Sequence, residues 1–451
     1  MRELRVIGPA TILGLNPIDE EAFYEGLKKK PDYIAIQGGG TDAGPKYLAL
    51  DLVRYRKDWM KQNLKLILRA ARELDVPFLS ASVGNQGTDF QVAFVTSLVK
   101  EVAKEEGLHF RLAVLLQTAD KEFIKKKIAQ NKVKIAGNLK PLTPEDVDAC
   151  TRINVMMGVE PFIKALNDRA DIIIGGRTTD PAVFAALPIK EGFDPGLAWH
   201  MGKIMECGCL AATPPDDRTA VMGYIRDDHF LVEPASSKMI CTVESVAGHT
   251  LYERENPYKH LEPGGTLDIT NSKIEMYDTR TVKVSGSKFI PRPFSAKLEG
   301  AGKVGYQAST IMGIRDPFLL AQIDNVIGEV RAKLAKQHSR DKFELFFRQY
   351  GKNAVLGDID PQKNDPIHEI ALMVDVIADS QETANKIALA VFTAIFFMSY
   401  PGMKQTAGNV AVPGDPGVFI PISNEVCRWI VDHEMMLDNP MECFGEQLVE
   451  V

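Results

Sequence analysis

From the start of the chain to about residue 215, short apolar runs alternate with stretches whose apolar positions recur every three or four residues. The first pattern predicts strands and the second amphipathic helices. Strands are expected over 5–8, 32–37, 78–83, 111–116 and 172–174, with helices over 20–30, 64–74 and 91–106. The run Ile172-Ile173-Ile174 is β-branched and uninterrupted, which suits a strand covered on both faces. A strand–helix rhythm of this kind builds right-handed βαβ units, so the expected class is α/β with a mostly parallel sheet flanked by helices.

After Pro214-Pro215-Asp216-Asp217 the rhythm changes. Short β-like runs such as 281–284 and 288–290 alternate with Gly and Pro turns, and a helix over 317–337 closes the segment. The polar stretch 358–366 reads as a linker, followed by a strand over 369–377 and a helix over 381–400, where Asp379 and Glu382 form a capping-box pattern. The expected organisation is an α/β domain over 1–215, a β-rich α+β domain over 216–357, and a linker with a small α+β domain over 358–451. The longest apolar run, 387–398, falls short of the ~20 residues a spanning helix needs and reads as a buried core helix.

Three predicted strands end in the same chemistry. They run into Gly38-Gly39-Gly40-Thr41-Asp42, into Gly84-Asn85-Gln86-Gly87-Thr88-Asp89, and into Gly175-Gly176-Arg177-Thr178-Thr179-Asp180. Neighbouring parallel strands bring their carboxyl ends to one edge, the usual place for a ligand in an open α/β sheet. Gly38, Gly39, Gly40, Thr41, Gly87, Thr88, Gly176, Arg177 and Thr178 are therefore candidate ligand-binding residues. Their backbone N–H groups and the Arg177 fork suit a carboxylate or phosphate. Asp180, Asp42 or Asp89 could serve as a general base or bind Mg²⁺, which favours carboxylate oxygens. A blander reading stays open: Asp180 before Pro181 is an N-cap signal, and Arg177 could pair with a surface carboxylate.

A second group lies on the helix expected after Asp194-Pro195. His200, Lys203 and Cys207 share a face there, with Glu206 adjacent, so Cys207 with His200 or Glu206 forms a further catalytic candidate set. His200 and Cys207 are two turns apart, about 10 Å, too far for a direct hydrogen bond. Cys207 also fits as a small buried hydrophobe, and Cys207 and Cys209 point to different sides, which disfavours zinc between them. Gly300-Ala301-Gly302-Lys303-Val304-Gly305 matches a dinucleotide pattern without its strand–turn–helix context. His249-Thr250-Leu251-Tyr252-Glu253 reads as polar residues at a strand end, and Asp316 before Pro317 as an N-cap.

Composition narrows the partners. Hydrophobic residues at 45% with 25% charged describe an ordinary globular chain, and a net charge of −7 gives no basic footprint for nucleic acid or an anionic membrane. Six scattered cysteines are too few for a disulfide framework, and residues 1–7 carry no apolar signal region, so a cytoplasmic setting is expected.

Taken together, Ile174-Gly175-Gly176-Arg177-x-x-Asp180-Pro181-Ala182, His200-Met201-Gly202-Lys203-Ile204-x-Glu206-Cys207-Gly208, His249-Thr250-Leu251-Tyr252-Glu253, Leu298-Glu299-Gly300-Ala301 and Gly313-Ile314-Arg315-Asp316-Pro317 resemble the acyclic terpene utilisation AtuA-like family. The resemblance runs in order over most of the chain, to members without a fused ferredoxin-like extension. It implies organic-acid catabolism through acyl-CoA intermediates, a separate small subunit as partner, and no established catalytic set. The resulting expectation is a catabolic, homo-oligomeric enzyme acting on a carboxylic acid or its CoA thioester by lyase, hydratase or hydrolytic chemistry, with no cofactor assigned beyond Mg²⁺. The alternative is a non-catalytic ligand-binding or assembly subunit of a multicomponent complex.

Overall fold

Strands that are apolar on both faces need cover on both sides, and this chain supplies it. The computed structural model describes residues 2–135, 140–253, 256–404, 409–412 and 421–451. By its internal contacts the chain divides into two compact units, Met1–Gly302 with Trp429–Val451, and Lys303–Arg428.

The strands of the larger unit, in chain order, are β1 (Glu3–Gly8), β2 (Tyr33–Gln37), β3 (Phe78–Ala81), β4 (Arg111–Gln117), β5 (Val133–Ile135), β6 (Arg152–Val155), β7 (Ile172–Gly175), β8 (Val221–Arg226) and β9 (His229–Pro234). They continue with β10 (Lys259–Glu262), β11 (Gly265–Asp268), β12 (Lys273–Met276), β13 (Val282–Ser285) and β14 (Lys288–Pro291). A ten-stranded sheet has at its centre the parallel set β1-β2-β3-β7-β4. Alternation along these strands sends Val6, Tyr33, Ala35, Leu79, Ala113 and Ile173 to one core, and Ile7, Ile34, Ile36, Phe78, Leu112 and Ile174 to the other. Helices Ala182–Lys190 and Pro195–Met205 cover the first face, while Lys57–Leu74 and Asp89–Glu106 cover the second. The α/β class expected from the periodicity is the one observed.

The stretch after residue 216 supplies β8, β9, β13 and β12, which extend this sheet as antiparallel strands beside β1. β10, β11 and β14 form a separate three-stranded sheet.

β15 (Ser295–Ile314) begins in the larger unit, where Glu299 pairs with Asn154 of β6. Its later half, Tyr306 to Ile314, pairs antiparallel with β17 (Ile370–Ala378) inside the smaller unit, and β17 pairs with β16 (Phe343–Tyr350). Helices Pro317–Gln337 and Gln381–Phe396 pack on these strands through Leu319, Ile323, Val330, Ile387 and Val391. The apolar run from 387 is thus a core helix, and no helix among the described residues is long and apolar enough to cross a membrane. Two strands complete the chain, β18 (Ile422–Met436) and β19 (Phe444–Glu450), the latter antiparallel to β4.

Two local expectations change, and the glycine pattern lacks its helix as expected. The glycine pattern 300–305 lies inside β15 and opens no helix; at Gly302 a Cβ would sit 2.3 Å from the Ala149 carbonyl oxygen, so strand packing accounts for that glycine. The cap of Gln381–Phe396 is Ser380, which accepts from the Thr383 N–H, in place of the Asp379 pattern. His249 belongs to helix Val243–Leu251 and not to a strand end.

Candidate active site

Because β2, β3 and β7 are adjacent and parallel, their glycine-polar loops leave the same edge of the sheet. Backbone contacts tie the loops together: the Gly38 N–H donates to the Ala81 carbonyl at 2.7 Å, and the Ser82 N–H to the Gly176 carbonyl at 2.8 Å. Gly39 has φ +145°, and a Cβ there would lie 2.3 Å from the Asn85 carbonyl oxygen. Gly87 has φ +63°, with its missing Cβ 2.5 Å from the Arg177 nitrogen. A side chain at either position would push the loops apart. Gly40 differs, since a Cβ there meets nothing within 4 Å, and Gly40 and Thr41 form a partly exposed rim with Asp42 exposed beyond them.

Arg177, two residues past the end of β7, is buried. Its Nε donates to Glu299 Oε2 at 2.8 Å and its Nη2 to Glu299 Oε1 at 3.2 Å, while Nη1 reaches Asp180 Oδ1 at 2.9 Å and Ser82 Oγ at 3.3 Å. Arg177 and Glu299 are each 5% exposed at the side chain, and Asp180 is 39% exposed. Burial alone would lower the Arg177 pKa, but the charges of Glu299 and Asp180 outweigh it and hold the guanidinium further above its ordinary range. Burial likewise opposes the Glu299 carboxylate, and Arg177 overcomes it, with Lys297 assisting, so its pKa falls.

Asp180 does not cap the helix that follows it. Helix Ala182–Lys190 has Pro181 at its N-cap with no side-chain cap bond. The carboxylate goes instead to Arg177, and the Gln37 side-chain amide donates to the Asp180 carbonyl at 2.5 Å. Thr178 is fully buried; its N–H donates to Ser82 Oγ at 3.2 Å, and its hydroxyl oxygen has no partner among the described residues.

The other loop residues stand apart from this pair. Thr88 caps helix Asp89–Glu106, accepting from the Gln91 N–H and donating to the Asp51 carboxylate, which also holds Arg152 at 2.6 Å. Partial burial raises the Asp89 pKa; Arg152 opposes the rise and Asp51 adds to it. Among the described residues, Asp42, Asp89 and Asp180 do not converge into a three-ligand group for Mg²⁺.

The second candidate group lies behind Asp180. Helix Pro195–Met205 begins at Asp194, which accepts from the Leu197 N–H, and is buried from Gly196 to Met205. Gly202 lets its backbone rest on Pro181, because a Cβ there would come within 2.7 Å of the Pro181 carbonyl oxygen. Just past the helix, the Thr11 hydroxyl donates to the Cys207 carbonyl at 2.9 Å, and Cys207 Sγ lies 3.1 Å from the Tyr252 hydroxyl. The buried Lys203 ammonium pairs with Glu206, sits 4.4 Å over the Tyr252 ring and lies 3.8 Å from Glu253. His249 packs its ring 4.7 Å from that of Tyr252. Burial, reinforced by the Glu206 charge, pushes the Cys207 thiol up to about 12.

His200 is not brought to this group. Its ring nitrogens meet Ser287 Oγ at 2.6 Å and Thr250 Oγ1 at 3.3 Å, its edge meets Phe230, and burial lowers its pKa to about 3. It is a neutral, partnered core histidine. Residues the sequence reading assigned no role are Glu299, Ser82 and Gln37. For Glu299 a signal existed, a carboxylate inside the otherwise small and apolar run Leu298-Glu299-Gly300-Ala301.

The sequence matches the model of a family described as acyclic terpene utilisation family protein AtuA, over residues 80–214 and 227–420. These spans contain Arg177, Asp180, Glu206, Cys207, His249 and Glu299 and omit the Gly38–Gly40 loop. Neither curated proteins nor solved structures give a match.

Proposed function

We infer, since this chain belongs to the acyclic terpene utilisation AtuA family and so has a role in acyclic terpene catabolism, that it is an enzyme acting on a carboxylic acid or its CoA thioester. The observation that carries this reading is Asp180: a half-buried carboxylate at the edge where three glycine loops meet, gripped through Oδ1 by a buried arginine. Its Oδ2 makes no hydrogen bond to a described residue, which leaves one oxygen for substrate. Arg177 fixes the orientation of the carboxylate, which a general base must hold toward its substrate.

In this scheme the Gly40–Thr41 rim seats the substrate anion, Asp180 takes a proton from carbon or water, and lyase, hydratase or hydrolytic chemistry follows. Arg177 acts as a positioning residue, since its donors already serve protein carboxylates.

The test is a thermal-shift screen of branched organic acids and acyl-CoAs, with and without Mg²⁺, followed by turnover of the stabilising compounds. Asp180→Asn should keep the shift and lose about 10²–10⁴-fold in kcat, the usual worth of a general base. Turnover at the wild-type rate would remove Asp180 from the chemistry.

A non-catalytic ligand-binding or assembly subunit is the second reading. It is favoured by the pairing of the buried cations Arg177, Lys203 and Lys127 with carboxylates of the chain itself. Co-purification of a stoichiometric second protein, with turnover only in its presence, would support it.

A further inference from the structure

Glu206, Cys207 and His249 each present one ligand atom, and the three atoms lie within 4.8 Å of one another. Among the described residues this is the one group of three such side chains to do so. They come from two places in the chain, the end of helix Pro195–Met205 and helix Val243–Leu251. Two further observations point to a ligand. His249 is 9% exposed, and its Nε2 is buried with no partner among the described residues, a costly arrangement for an imidazole unless something binds there. Cys207, in turn, is only partly buried, whereas Cys150, Cys209, Cys241 and Cys443 are buried, so the group is open on its sulfur side.

We propose that Glu206, Cys207 and His249 bind one transition-metal ion of the zinc class, with a fourth position left for water or substrate. One sulfur, one imidazole nitrogen and one carboxylate oxygen match the donors of three-ligand zinc sites, whose bonds of about 2.0–2.3 Å require these side chains to close by roughly 1 Å. The set does not suit Mg²⁺, which demands oxygen ligands in octahedral array. Binding converts the Cys207 thiol to a thiolate and releases its proton to solvent. The Tyr252 hydroxyl, 3.1 Å from the sulfur, is placed to donate to that thiolate, and Thr11 holds the Cys207 carbonyl. Glu206 joins the ion as a carboxylate already paired with Lys203, whose charge is also offset by Glu253 at 3.8 Å.

The experiment loads chelator-treated full-length protein with Co²⁺ and reads its absorption, then competes with Zn²⁺. One equivalent of Co²⁺ should give a thiolate-to-metal charge-transfer band that Zn²⁺ removes and excess Mg²⁺ leaves unchanged. Cys207→Ser should abolish the band, and His249→Gln should weaken Co²⁺ binding at least about 100-fold, with far-UV circular dichroism confirming that both variants fold. Absence of a stoichiometric thiolate band in the wild-type protein overturns the proposal without reference to any variant, as does a band that survives Cys207→Ser. No substrate enters the assay, so its result is separate from that of the carboxylate reading above.

Discussion

The buried pair Arg177–Glu299 can be tested as a pair. Its two parallel hydrogen bonds, at 2.8 and 3.2 Å, join side chains that are each 5% exposed, so removing one partner strands a charge away from water. Such a loss costs about 3–5 kcal/mol. Each residue keeps a weaker partner, Arg177 the half-exposed Asp180 and Glu299 the Lys297 ammonium at 3.4 Å, which places both single variants at the lower end, about 3 kcal/mol. Arg177→Met with Glu299→Leu removes both charges together and should cost about 1 kcal/mol, since apolar replacement of a buried pair is often near neutral. These costs give an expected coupling of about 5 kcal/mol, above the ~0.5–3 kcal/mol usual for contacting pairs because each single variant strands a buried charge. The assay is equilibrium urea unfolding followed by tryptophan fluorescence. All three tryptophans, Trp59, Trp199 and Trp429, lie in the larger unit, so the signal reports the unit that holds the pair. A cost below about 1 kcal/mol for Glu299→Gln, or two single costs that simply add in the double variant, would refute the reasoning.

The same fluorescence assay tests the loop contacts. Gly39→Ala should cost at least about 2 kcal/mol, because its Cβ would meet backbone at 2.3 Å from a φ of +145°, whereas Gly40→Ala, with nothing within 4 Å, should change stability by less than about 0.5 kcal/mol. Glu160 gives a pH prediction: burial raises its carboxyl from 4.5 to about 7 against the pull of nearby backbone N–H groups. Between those pH values the folded chain holds a proton that the unfolded chain has lost, so stability falls as pH rises through that window, by up to about 3 kcal/mol, and is level above it. Glu160→Gln should flatten that slope and leave the variant more stable than wild type at pH 8, as melting temperatures at pH 5 and pH 8 would reveal; parallel curves would rule it out.

The parallel centre of the sheet was legible because its strands are short apolar runs, most of them running into glycine, and such runs have few other structures open to them. Loop convergence followed from the rule that parallel neighbours end on one edge. What stayed hidden was who pairs with whom. Asp180-Pro181 carries the local signal of a helix cap, yet a guanidinium three residues earlier takes the carboxylate, and the proline becomes the N-cap. That guanidinium is itself held by Glu299, 122 residues away on a strand whose register with β6 no local pattern encodes. His200 and Cys207 share a helical face on paper, but the helix ends at Met205, and His200 faces Ser287 and Thr250. His249 has no ligand spacing of its own in the sequence, and only the helix that carries it brings it beside Cys207.

Where the three loops meet, Gly39 and Gly87 are buried and tolerate no side chain, so this junction is built from main chain. Such a junction has no side chains to exchange. Under the proposed function, variation in what the loops bind falls to the rim at Gly40, Thr41 and Asp42, because at Gly40 a side chain can be added without meeting any neighbouring atom.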